Sequence, residues 1–155
     1  MWLADTVIGR TIYLDANVFI YAFEGTLAPP DVTNPASALR AVFHLIQQGR
    51  TWARTSQMTR AEVLVHPLRN GNARLVDLYS SLLSGTEMIA MDAVSTAVID
   101  RAARLRADFH LRLADAIHLA SAIESGCDAL LTADKRLAAC SALMAILPLD
   151  AAQQP

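Results

Sequence analysis

The chain has little of what marks secreted, membrane-bound or nucleotide-binding proteins. Only two of its 155 residues are cysteines, Cys127 and Cys140. They have neither the density of a disulfide scaffold nor the spacing of a zinc site, so a reducing cytoplasm is the expected setting. No apolar run approaches the roughly 18 residues of a membrane span. The opening MWLADTVIGR carries an acid and too short an apolar stretch for a signal peptide. Gly-x-Gly-x-x-Gly and P-loop patterns are missing, which argues against dinucleotide binding and P-loop chemistry. A basic excess is missing too: the net charge is -2 and the pI near 6.0, so the molecule as a whole has no field for non-specific nucleic-acid binding. Lysine is reduced to Lys135, and arginine supplies the other cations. Arg101, Arg104, Arg106 and Arg112 crowd one stretch and Arg60, Arg69 and Arg74 another. Solvated helix faces and a phosphate-contacting surface both account for them.

What is present is material for one core. The chain is 54% hydrophobic and 18% charged, which excludes an intrinsically disordered chain and fits a single domain. Surplus apolar surface also fits a dimer or partner contact. Short β-rich runs alternate with longer helical patterns, the signature of βα units around a parallel sheet. Strands are expected at Thr11 to Leu14, Thr51 to Arg54, Glu87 to Met91, Ala129 to Thr132 and Leu143 to Pro148. The stretches ALRAVFHLIQQG, AVSTAVIDRAARLRA and LADAIHLASAIESG read as helices, the first stopped by Gly49 and the last by Gly126. TLAPPDVTNPAS, with three prolines, reads as a surface loop, and AAQQP as a frayed tail.

Against this apolar background four acids stand out. Asp15 follows the first strand in TIYLDANVFIY, and Asp134 follows the fourth in DALLTADKRL. Ligands of parallel α/β sheets bind outside the carboxyl ends of the strands. Each of these acids is equally well explained as a helix N-cap. Helical winding places Glu62 at the margin of an apolar face, beside Met58 and Val65, and Asp115 in line with Leu111, Leu119 and Ala122. If the four converge, their repulsion raises their pKa values and calls for a cation. Hard oxygen donors select Mg²⁺ or Mn²⁺, and such a site suits phosphodiester hydrolysis. Asn17 and Thr132 would then orient carboxylates or waters. His44, His66, His110 and His118 form no zinc-type pair, and His118 reads as a packed or surface residue.

YLDANVFIY, MTRAEVLVHPLRNGN, LRLADAIHLASAIESG and CDALLTADKRL, in this order, resemble the PIN-domain ribonucleases, and among them the VapC-type toxins of toxin-antitoxin pairs. The resemblance runs from Thr11 to about Leu149. It implies a three-layer α/β/α sandwich around a mainly parallel sheet of about five strands, preceded by an extension over residues 1–10 and followed by a tail over 150–155. It further implies a Mg²⁺- or Mn²⁺-dependent endoribonuclease leaving 5′-phosphate and 3′-hydroxyl ends. Asp15, Glu62, Asp115 and Asp134 match the family's acidic cluster, and Asn17 and Thr132 its polar helpers. Single-stranded or looped RNA, including transfer or ribosomal RNA, is the implied substrate, with a small antitoxin and a second copy of the chain as partners and no membrane. Where relatives often carry asparagine before the last acid this chain has Ala133. An alternative is a catalytically idle module of the same fold that binds RNA or protein. A phosphatase or phospho-acceptor using Asp15 as nucleophile fits less well, because DAN offers no second acid beside it and Lys135 follows Asp134 directly.

Overall fold

The computed structural model describes residues 3–24 and 36–149. The expected proline-bearing loop lies outside these residues except for its last two, Ala36 and Ser37, which open a helix instead; the expected tail AAQQP lies outside them too. Five strands, β1 (Thr11–Leu14), β2 (Trp52–Ser56), β3 (Ile89–Asp92), β4 (Ala129–Thr132) and β5 (Ala145–Pro148), form one sheet. Its order is β3-β2-β1-β4-β5 and every pairing is parallel. Helices α1 (Leu3–Val7), α2 (Ala16–Glu24), α3 (Ala36–Gln47), α4 (Gln57–Val63), α5 (Val65–Arg69), α6 (Ala73–Leu82), α7 (Thr96–Phe109) and α8 (Leu113–Glu124) connect the strands, with a 3₁₀ helix at Lys135–Cys140 before β5.

The two-residue alternation of strand side chains assigns the layers. From β1, Ile12 and Leu14 point to one face and Tyr13 to the other; from β4, Ala129 and Leu131 point to the first face and Leu130 to the second. The first face is covered by α1, α2 and α3 through Leu3, Val7, Val18, Phe19, Leu39 and Val42. The second is covered by α7, α8 and the 3₁₀ helix through Val98, Ala102, Ala116, Leu119 and Leu137. The result is the parallel sheet that the alternating pattern implies, inside the α/β/α sandwich that the resemblance implies. Because β1 and β4 are buried on both faces, both read as apolar runs, as parallel strands do.

β1 and β4 begin and end where the sequence places them; β2 and β3 are displaced by one or two residues at both ends, and β5 begins two residues later but ends at Pro148 as expected. Thr51 stands just before β2 and donates its hydroxyl to the Val7 carbonyl at 3.0 Å. β2 runs on to Ser56 because β3 continues beside it, with Thr55 opposite Met91 and Ser56 opposite Asp92. The residues ahead of β1 include a five-residue helix, α1, whose Leu3 and Val7 are buried in the first core.

Among the described residues, one non-glycine backbone position has a positive φ. His110 closes α7 in the left-handed region, at φ 55° and ψ 34°. An L side chain there costs about 1 kcal/mol. His110→Gly is expected to raise stability by about 0.5 kcal/mol, the relief exceeding the extra chain entropy of glycine. A urea midpoint that moves upward at unchanged slope checks this.

Candidate active site

The order of the strands locates a site before any side chain is considered. From β1 the chain moves outward to β2 and β3, then returns to the other side of β1 for β4 and β5. The connections therefore diverge between β1 and β4, leaving a crevice at their carboxyl ends, the place where open α/β sheets bind ligands. Asp15 follows β1 directly, and Thr132 ends β4 with Asp134 two residues further on.

Asp15 is 5% exposed. Its Oδ1 accepts from the Val18 backbone N–H at 3.2 Å, so it caps α2, and its Oδ2 accepts from the Thr132 hydroxyl. Burial pushes its carboxyl above the ordinary range, opposed first by the Thr132 bond and then by the field of His118 and by the backbone N–H groups of Val18 and Asn17. The capping explanation is thus correct, but it leaves the second oxygen aimed at the β4 end. Asn17 reaches Asp15 through its backbone N–H, and its residue is exposed. Thr132 is fully buried and its Oγ1 also accepts from the Asp134 N–H at 3.0 Å, so one hydroxyl ties the ends of β1 and β4 together.

Asp134 and Asp115 form a second group. Asp134 caps the 3₁₀ helix, accepting from the Arg136 N–H at 2.9 Å, and it takes the Arg136 guanidinium on both oxygens, with its closest contact at 2.5 Å. The same guanidinium reaches Asp115, in the first turn of α8, at 3.3 Å. The two carboxyls also stand within hydrogen-bonding reach of each other. Their shifts diverge for a clear reason. Hydrogen bonding from Arg136 lowers Asp134, whereas desolvation, and then the charge of Asp134, raises Asp115. One cation shared by two acids serves the nearer one better.

Glu62 stands on α4, one third exposed, and its Oε2 lies 2.6 Å from Nε2 of His118. His118 is on α8, one turn beyond Asp115, and its charge would bear on both Asp15 and Asp115. The acids are thus linked in series: Asp15 through Thr132 to the Asp134 backbone, the Asp134 carboxyl to Asp115, and Glu62 through His118 to the helix that carries Asp115. Among the described residues, no three His, Cys, Asp or Glu side chains stand close enough, as placed, to hold one metal ion. The donor chemistry still fits a hard cation, because Asp115 and Asp134 already share a positive charge, that of Arg136.

Two participants escape a reading of the sequence. Arg136 is one basic residue among thirteen, and its signal is only its position two residues after an acid. Of the packed and surface readings left open for His118, the structure shows the packed one, at 4% exposure. Its spacing of three from Asp115, which puts both on one helical face, was the available clue. Some of the other arginines hold the fold: Arg54 pairs with Asp92, Arg101 with Glu124, and Arg60 donates to the Ser80 and Leu83 carbonyls.

Thr132→Val keeps the shape of the side chain and removes the hydroxyl on Asp15. A hydrogen bond to a buried carboxylate contributes about 2 kcal/mol, so stability at neutral pH is expected to fall by that amount. The loss is smaller at acid pH, where protonated Asp15 no longer needs the donor. Urea melts of both proteins at two pH values check the prediction.

A search of curated protein sequences finds no match to the chain. Solved structures of similar fold do exist. A toxin-antitoxin complex from Klebsiella pneumoniae contains a chain 21% identical, with TM-score 0.64, over 89% of this chain and 97% of that one. VapBC2 from Rickettsia felis, bound to a DNA fragment from its promoter, matches at 14% identity and TM-score 0.64, over 89% and 98%. VapC20 of Mycobacterium tuberculosis, a toxin that cleaves the sarcin-ricin loop, matches at 15% identity and TM-score 0.62, over 83% and 94%. At these identities the likeness concerns the fold. The family model described as PIN domain matches residues 12–143, which include all four acids. By its sequence as well as its fold, the chain belongs to the PIN domain family.

Proposed function

We propose that the protein is a Mg²⁺- or Mn²⁺-dependent endoribonuclease and the toxin of a toxin-antitoxin pair. The observation that carries this reading is the placement of Asp15 and Asp134 at the ends of β1 and β4, joined through Thr132, with Asp115 beside Asp134 and Glu62 tied through His118 to the helix that bears Asp115. It is supported by membership of the PIN family and by the likeness to a toxin that cleaves the sarcin-ricin loop and to chains solved in toxin-antitoxin complexes.

In this reading Asp15, Glu62, Asp115 and Asp134 are the carboxylates that hold the cation. When bound, it lowers the pKa of a water and offsets charge at the attacked phosphate. Thr132 fixes the orientation of Asp15 and, through the Asp134 backbone, the distance between the two strand ends. Arg136, half exposed and presenting a planar fork of donors, is placed to meet a phosphate oxygen of RNA when it leaves the acids. An antitoxin and a second copy of the chain would cover apolar side chains that are now exposed, among them Leu68, Trp52 and Leu113. Among the described residues no helix is long and apolar enough to cross a membrane. Residues 11–149 act as one PIN unit in this reading.

The pairing of Arg136 with Asp115 and Asp134 favours a second reading, a catalytically idle PIN module that binds RNA or protein. There the arginine is the permanent counter-ion of the acids. Incubating end-labelled total RNA with the purified protein, with and without Mn²⁺ and chelator, separates the two. Cleavage that requires the metal supports the nuclease. Intact RNA from folded, antitoxin-free protein supports the idle module.

A further inference from the structure

The proposed mechanism leaves a buried polar circuit unused. Ser56 caps α4, its Oγ accepting from the Met58 N–H at 3.3 Å. The same Oγ lies 2.8 Å from the hydroxyl of Tyr13, on β1. That hydroxyl lies 2.9 Å from Nδ1 of His118, on α8, and Nε2 of His118 lies 2.6 Å from Glu62, which is again on α4. The circuit starts at the residue that caps α4 and returns to α4 near its last residue, passing through the central strand and the helix that bears Asp115. Ser56 and Tyr13 are fully buried and His118 nearly so.

Counting donors gives the circuit a direction where it matters. Burial raises the Tyr13 phenol far above neutrality, so its oxygen keeps its single hydrogen. If that hydrogen goes to Nδ1, Ser56 donates to Tyr13 and the imidazole carries its proton on Nε2. If it goes to Ser56, Nδ1–H donates to Tyr13, and a carboxylate at 2.6 Å from Nε2 requires a hydrogen there as well. In both cases Nε2–H faces Glu62. The edge-on contact of the two rings, with centroids 5.8 Å apart at 61°, fixes the imidazole plane.

We propose that His118, held by Tyr13 and Ser56, is the positioning residue for Glu62. Unlike Asp15 and Asp134, Glu62 stands at no cap and no strand end, and unlike Asp115 it has no arginine among its hydrogen-bond partners; it is a third exposed. Without a donor its carboxylate would sample several rotamers in water. The circuit also sets Glu62 in register with Asp115, because His118 and Asp115 are neighbours one turn apart on α8. The catalytic part of this inference rests on the nuclease reading; the positional part does not.

The test compares His118→Gln, whose amide can reproduce the Nε2–H donor, with His118→Leu and Tyr13→Phe. Circular dichroism confirms that each is folded. Two readouts are taken, kcat and KM for cleavage of a defined RNA with Mn²⁺, and the NMR resonance and exchange rate of the His118 Nε2–H. Partners that orient ligand residues typically contribute about 10- to 100-fold. His118→Leu is expected to lose kcat by that factor at nearly constant KM, and His118→Gln to stay within about fivefold of the parent. The Nε2–H should be slow to exchange in the parent and fast in Tyr13→Phe and Glu62→Ala. Equal kcat in all folded variants, or a Gln variant no better than Leu, overturns the positioning role. If no RNA is cut at all, the nuclease reading fails, and the exchange rates alone decide: a fast or absent Nε2–H signal in the parent sinks the circuit.

Discussion

Asp15→Asn should lower the proposed nuclease activity about a thousandfold and yield a more stable protein. Both effects follow from one fact, that a carboxylate is held at 5% exposure beside fully buried Thr132 and Leu14. Desolvation disfavours the charged form, and the bonds from Thr132 and the helix start only partly compensate, which is why the Asp15 carboxyl titrates above its ordinary range. Asparagine fills the same space, still accepts from the Val18 N–H, and carries no charge to desolvate. A gain of about 1 to 3 kcal/mol is expected, or roughly 3 to 10 °C in melting temperature for a domain of this size. The same substitution removes the anionic donor deepest in the crevice. Loss of a central charged group in a preorganised site costs on the order of a thousandfold in rate. RNA cleavage assays and thermal melts on one preparation check both.

The pH dependence of that stability has a definite sign. A carboxyl with a raised folded pKa takes up its proton in the native state before it does in the unfolded chain. Native stability therefore increases as pH falls from neutrality through the raised pKa values of Asp15 and Asp115, until the ordinary carboxylate range is reached. Asp134 acts in the opposite sense. Its pKa is lowered, so its contribution is present above the ordinary range and is lost as pH falls through the depressed value. Mildly acid buffer should stabilise the parent, and Asp15→Asn should show a smaller gain over the same window. An equal gain in both proteins would mean that Asp15 is not the group responsible.

The architecture was largely legible because the strands nearest the site are the ones most strongly constrained. β1 and β4 are flanked on both sides by other strands and on both faces by helices, so their sequences TIYL and ALLT are apolar or β-branched throughout. The edge strand β3, IAMD, is partly exposed and ends on an acid, so its limits are blurred. α1 was not legible as a helix, because five residues are too few for periodicity to register. At the site, an acid beside a strand end is a local feature and can be found by eye. Which cation it faces is not local. Nothing in DKRL distinguishes Lys135 from Arg136 until the 3₁₀ helix turns Arg136 back over Asp134 and toward α8. In the same way, the path from Ser56 to Glu62 joins residues 43, 105 and 56 positions apart, and only the packing of α8 on the sheet closes it.

Binding of a divalent cation should raise the melting temperature, and Arg136 should oppose it. Asp115 and Asp134 lie within reach of each other and share one guanidinium. A cation bound to the folded state alone stabilises it by about 2.7 kcal/mol at a hundred times its dissociation constant, equivalent to roughly 5 to 10 °C here. To bind, it must take carboxylate oxygens that now accept from Arg136. That exchange lowers the apparent affinity, by a modest factor because the arginine is half exposed and its ion pairs are screened. Arg136→Gln should therefore shift more with Mn²⁺ than the parent does, while Asp134→Asn and Asp115→Asn shift less. Sodium chloride at matched ionic strength should produce none of this, since general screening does not distinguish the variants. If chelator and excess Mn²⁺ give the same melting curve for the parent and for Arg136→Gln, the acids have no use for a metal. Arg136 is then their standing partner, and the idle module becomes the better account of the protein.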